Sequence, residues 1–141
     1  MEFFACYTGN ECTHNLTALQ ELDELDRLLA STDERPLLLF KHSYTCGVSA
    51  EALDELVAHI NDRPEDVQYA MVTVQTHRDV SNAVAKKLGV RHETPQALLI
   101  RNRRVVWSAS HFRVTASAMV DAISAQSPSL RPTPTTTPTG N

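Results

Sequence analysis

No run of apolar residues in this chain approaches the roughly 18 needed to cross a bilayer, so no membrane partner is expected. Basic charge is also short. Thirteen Lys and Arg stand against 17 Asp and Glu, a net charge of −4, which argues against the broad cationic surface that grips a phosphate backbone. Nucleic acid is set aside. Cysteine is scarce too: three residues, odd in number and irregularly spaced, do not make a disulfide framework, and a reducing compartment would keep each as a thiol. The opening Met1-Glu-Phe-Phe lacks the basic stretch of a signal peptide, so the expected location is cytoplasmic. No internal repeat is apparent.

What is present is ordinary globular material. With 141 residues, 42% hydrophobic and 21% charged, the chain has enough apolar side chains for one domain with its own core. Residues 1–15 show no period and read as an N-terminal extension. Residues 127–141, rich in Pro and Thr, offer almost nothing apolar to offset the entropy of ordering them and read as a disordered tail. Between them, residues 16–126 carry the domain. Leu16, Leu19, Leu22, Leu25, Leu28 and Leu29 recur at helical spacing and predict a first helix. Leu37-Leu-Leu-Phe-Lys41 predicts a buried strand, and Val48, Leu53, Leu56, Val57 and Ile60 a second helix. Val67 to Val74 predicts another strand, and Arg78 to Leu88 a third helix ended by Gly89. Ala97 to Ile100 and Arg104 to Trp107 flank a hairpin turn, and a last helix runs from Val114 to about Ala125. Strands alternating with helices require right-handed parallel crossovers, and the hairpin adds an antiparallel edge. The expectation is an α/β, thioredoxin-like fold with a central four-stranded mixed sheet flanked by helices.

Cys46 falls where the first strand hands over to the second helix. A sulfur there meets the positive end of the helix dipole and unpaired backbone N–H groups, both of which favour thiolate, the nucleophilic form in disulfide exchange. Lys41 and His42 would add to that field. Against this stands the ordinary fate of an isolated cysteine, a small buried core residue. Ser49, three residues on, occupies the place of a second sulfur in a dithiol enzyme. A hydroxyl cannot resolve a mixed disulfide, so exchange here would use one protein thiol and an external one. Ser49 is equally suited to bonding first-turn N–H groups. Thr94-Pro95 precedes a strand; a cis bond there would turn the Thr94 backbone toward an extended thiol substrate, although locally trans is favoured.

Four separated stretches then stand out: Lys41-His-Ser-Tyr-Thr-Cys-Gly-Val-Ser49, Thr73-Val-Gln-Thr-His-Arg-Asp-Val-Ser-Asn82, Gly89-Val-Arg-His-Glu-Thr-Pro-Gln96 and Trp107-Ser-Ala-Ser-His111. Together, over roughly Leu16 to Ile123, they resemble the YtxJ-like monothiol bacilliredoxins, thioredoxin-fold proteins of the bacillithiol system. The resemblance implies that Cys46 is the redox cysteine and Pro95 a cis proline opposite it. It implies bacillithiol or a related small thiol as co-substrate, bacillithiolated proteins as clients, and no tightly bound cofactor. Thr45, Gly47, Ser49, Thr94 and Pro95 would then bind substrate. One departure is plain: the expected Cys-Pro-Ile-Ser is here Cys46-Gly47-Val48-Ser49. Glycine gives up a rigid first helical residue and adds a backbone N–H beside the sulfur.

That change also brings the motif near the Cys-Gly-Phe-Ser of monothiol glutaredoxins, which bind glutathione and iron–sulfur clusters. A cluster-binding or partner-binding module is therefore the alternative. The stretch after Pro95, Gln-Ala-Leu-Leu-Ile-Arg-Asn-Arg, lacks the Gly-Gly turn and Cys-Ser-Asp segment such proteins use for glutathione. Cys6, Cys12 and His14 have no common zinc spacing, and no metal site is expected. Asn15-Leu-Thr17 matches a glycosylation sequon that has no route to the enzyme in a chain without a signal peptide. Arg78, Ser81 and Asn82 open the third helix, either capping it or meeting carboxylates of the small thiol. Of His77, His92 and His111, the last is singled out because it closes a family-like stretch.

Overall fold

The computed structural model describes residues 16–62 and 67–126. The expected N-terminal extension, with Cys6, Cys12 and His14, and the expected disordered tail lie outside the described residues. The elements are β1 (Leu16–Ala18), α1 (Leu22–Ser31), β2 (Leu37–His42), α2 (Gly47–Asp62), β3 (Gln68–Thr73), α3 (Arg78–Leu88), β4 (Gln96–Arg101), β5 (Arg104–Ser110) and α4 (Ala116–Gln126). A 3-10 turn, His111–Arg113, links β5 to α4.

The sheet has five strands in the order β1-β3-β2-β4-β5, not the four expected. β1, β3 and β2 are parallel, β4 runs antiparallel to β2, and β5 runs antiparallel to β4. The extra strand comes from the segment expected to begin the first helix. Leu16, Leu19, Leu22 and Leu25 share a three-residue step, yet the Glu24 carboxylate accepts from the Gln20 and Glu21 backbone N–H groups at 2.8 and 3.1 Å and starts the helix only at Leu22. Such a cap satisfies orphan first-turn donors and sets where the helix begins. Residues upstream are then free to pair with β3, where Leu16 lies opposite Tyr69 and the Leu19 N–H reaches the Met71 carbonyl at 2.8 Å.

Strand alternation divides the core into two layers. Leu38, Phe40, Met71, Ala97 and Leu99 pack with Leu53, Leu56 and Ile60 of α2 and Met119 and Ile123 of α4. Leu37, Leu39, Ala70, Val72, Leu98 and Ile100 pack with Leu25 and Leu29 of α1 and Val80 and Val84 of α3. Each fully buried aliphatic side chain contributes about 1.5–3 kcal/mol of burial. The two-sided sheet explains why β2 reads as an unbroken apolar run rather than an alternating one. The β4–β5 turn places Asn102 and Arg103 at φ 52° and 67°, the pair of positive values a tight two-residue hairpin needs. It docks on the end of α1, where the Thr32 carbonyl and hydroxyl accept from the Asn102 and Arg103 N–H groups at 3.0 and 2.8 Å. Gly89 closes α3 in the left-handed conformation. Among the described residues no helix is long and apolar enough to cross a membrane.

Candidate active site

The C-terminal end of β2 and the start of β4 lie side by side, with Lys41 opposite Gln96. The segment carrying Cys46 and the segment carrying Thr94 and Pro95 therefore meet the sheet at the same end of neighbouring central strands. Cys46 is partly exposed and immediately precedes α2; its carbonyl accepts the Ala50 N–H at 3.1 Å, and its own N–H reaches the Ser43 carbonyl at 3.3 Å. It is the free cysteine among the described residues. The Thr94–Pro95 bond is cis, Pro95 is buried and Thr94 half-buried.

Two of the expected site residues open outward. Thr45 and Gly47 are exposed on either side of the sulfur, and a Cβ built on Gly47 meets nothing within 4 Å. Ser49, by contrast, is fully buried. Its hydroxyl accepts from the Ser43 N–H at 2.9 Å and sits 2.8 Å from His42 Nδ1. It holds the turn before the cysteine from behind. Burial lowers the His42 pKa from the ordinary imidazole value, which keeps this pair neutral.

Gln75, a residue the sequence reading did not single out, completes the turn. It lies in the β3–α3 connection; its Nε2 donates to Ser43 Oγ at 2.7 Å and Thr45 Oγ1 at 3.2 Å, while its Oε1 accepts from the Tyr44 N–H at 3.2 Å. The signal was present, since Gln75 falls inside one of the four family-like stretches.

Lys41 and His42 do not act on one spot. Lys41 is fully buried, and its Nζ lies 2.9 Å from Nδ1 of exposed His92. Desolvation lowers its pKa from 10.5 to about 8. Arg78 and Asn82 are exposed on the first turns of α3. His111, at φ 56°, donates its backbone N–H to the Pro95 carbonyl at 2.9 Å. Its Nε2 lies 3.3 Å from Glu93 Oε1. A hydrogen bond from Ser110 is the main reason the Glu93 carboxyl titrates below its ordinary value; His111 and Arg91 add to this and desolvation opposes it. His111 thus braces the segment around the cis bond.

Residues 17–119 match the family described as Monothiol bacilliredoxin BrxC. The chain belongs to the monothiol bacilliredoxin family. One solved structure, described as a candidate oxidoreductase with a thioredoxin fold, is 30% identical, with 77% of this chain and 94% of that chain covered at a TM-score of 0.69. Thioredoxin from Fasciola hepatica is 15% identical over 79% of this chain and 99% of its own, at a TM-score of 0.64. Thioredoxin f2 from Chlamydomonas reinhardtii is 19% identical over 80% and 97%, at 0.62. These two show the fold alone. Membership of the bacilliredoxin family, with the 30% identical thioredoxin-fold relative, supports thiol–disulfide oxidoreductase activity for this protein.

Proposed function

We propose that this bacilliredoxin-family protein removes bacillithiol, or a closely related small thiol, from protein mixed disulfides in a reducing cytoplasm. The observation that carries the reading is the pairing of one cysteine, at the head of α2, with a buried serine three residues later. Ser49 is held by Ser43 and His42 and has no sulfur with which to resolve a mixed disulfide.

In the first step the Cys46 thiolate attacks the bacillithiol sulfur of the protein–bacillithiol disulfide. A bond forms between Cys46 Sγ and that sulfur, the protein sulfur departs with the electron pair, and it takes a proton from water. In the second step a bacillithiol thiolate attacks the same bacillithiol sulfur, releasing Cys46 as thiolate and bacillithiol disulfide as product. The client thiol is regenerated and one free bacillithiol is oxidised, its sulfur joining the one already at the disulfide level. The free first-turn N–H groups of α2 and the positive end of its dipole favour negative charge on the departing Cys46 sulfur. Thr45, Gly47 and the Thr94 backbone line the approach to the thiol, and the cis turn at Pro95 presents Thr94 for pairing with an extended substrate.

The test is the intact mass of the reduced protein after separate exposure to bacillithiol disulfide and glutathione disulfide, with Cys46→Ser alongside. The expected result is a rapid bacillithiol adduct that the variant does not form. An equally rapid glutathione adduct would favour the glutaredoxin-like alternative, and absorbance above about 400 nm after anaerobic purification would favour its cluster-binding form. No adduct at Cys46 would make the thiol structural.

A further inference from the structure

Lys41 is a buried ammonium whose hydrogen-bond partner is not a carboxylate but an imidazole, His92 Nδ1 at 2.9 Å. An ammonium has donors and no acceptor, so His92 Nδ1 accepts and the ring proton is on Nε2. The exposed ring therefore offers an N–H to solvent. Arg78 lies close enough to act electrostatically on the same imidazole, and with desolvation and Lys41 it lowers the His92 pKa. Among the described residues neither Lys41 nor Arg78 has a carboxylate in an ion pair. The acid nearest His92 is Glu93, which Ser110 and His111 already engage. Three donors of positive or partly positive character thus gather beside a single carboxylate, Glu93, whose hydrogen bonds are to Ser110 and His111.

Their placement matters. Lys41 is flanked in the sheet by Val72 of β3 and Gln96 of β4, so the cluster lies at the end of the central strands from which the Cys46 segment and the cis turn emerge. Strand alternation puts Lys41 on the α1 and α3 side of the sheet, while α2 packs on the other side. His92 precedes the cis turn by two residues, on the segment that leaves the sheet beside the one carrying Cys46.

We propose that His92 Nε2–H and the Arg78 guanidinium, backed by the buried Lys41 ammonium, form a carboxylate-binding subsite for the small thiol exchanged at Cys46. The inference deepens the thiol-exchange reading and rests on it. Buried positive charge without a counter-charge is costly, and an anion arriving at the exposed imidazole relieves that cost. Charge-assisted bonds from an imidazole N–H and a guanidinium suit a planar carboxylate.

Two measurements on the full chain test it. The first follows adduct formation at Cys46 with two disulfide probes, neutral hydroxyethyl disulfide and dithiodiglycolate, which carries carboxylates. The readout is the ratio of carboxylated to neutral rates. His92→Gln and Arg78→Gln are each expected to lower that ratio by about three- to fivefold at low ionic strength, whereas Arg104→Gln, at the far hairpin end of the sheet, leaves it unchanged. The second titrates succinate, which has no sulfur, into the protein and follows the His92 imidazole by NMR; saturable shifts at about millimolar concentration, lost in Arg78→Gln, are expected. An unchanged ratio in both variants, or His92 resonances indifferent to succinate, would overturn the subsite. Failure of both probes to modify Cys46, with succinate still bound, would overturn the thiol-exchange reading and leave the anion site standing.

Discussion

Lys41 and His42 are adjacent in the chain and serve opposite faces of one sheet: the first reaches His92 at 2.9 Å, the second Ser49 at 2.8 Å. Both titrate below their ordinary values because burial disfavours the charged form. The two side chains therefore set opposite ends of the pH–stability profile.

Burial lowers the Lys41 pKa to about 8 in the fold, against its ordinary value of 10.5. Between those values the unfolded chain keeps a proton that the folded one has released, so stability rises with pH across the window and the penalty is fully present below about pH 8. Lys41→Met is expected to stabilise the protein by about 1–2 kcal/mol at pH 7. Denaturant melts should show that gain shrinking toward pH 10.5. A gain independent of pH would mean that packing, not charge, is responsible.

Ser49→Ala strips a buried hydroxyl from both the Ser43 N–H and His42 Nδ1. A loss of about 2 kcal/mol is expected from groups left unpaired. His42 adds an acid limb: its folded pKa lies below 6.5, so the unfolded state takes up the proton first and stability falls as pH drops from 6.5 through the folded value. Replacing His42 with Gln should flatten that limb in melts between pH 6.5 and pH 4.

Gln75→Ala removes the bonds that join the β3–α3 connection to Ser43, Tyr44 and Thr45. Faster hydrogen exchange at the Tyr44 N–H, by about tenfold, is the expected signature. Adduct formation at Cys46 should slow severalfold as the turn loosens. Unaltered exchange at Tyr44 would show that the turn is held by the Ser49 contacts alone.

Gly47→Ala places a methyl in open space at the first residue of α2. Since Gly47 is not among the residues with positive φ, the substitution is expected to stabilise by about 0.5–1 kcal/mol through lower unfolded-state entropy. A destabilised variant would point to a role for a glycine-specific motion at the cysteine.

Local pattern was enough for much of this protein. The apolar run of β2, the spacing of Val80 and Val84 in α3 with Gly89 after it, and the turn at Asn102 and Arg103 all report on neighbours a few residues away, and so does the position of Cys46 at a strand-to-helix junction. The resemblance carried by four stretches named the family. Tertiary structure decided what depends on partners distant in sequence. Leu16–Ala18 is a strand because β3 offers its edge and Glu24 caps α1 behind it, although leucine spacing alone continues the helix. Gln75 reaches the cysteine turn from 30 or so positions away, and Lys41 meets His92 across 51. Periodicity records which face a side chain takes; which polar group waits there is set by how strands are ordered in the sheet, and that order is long-range.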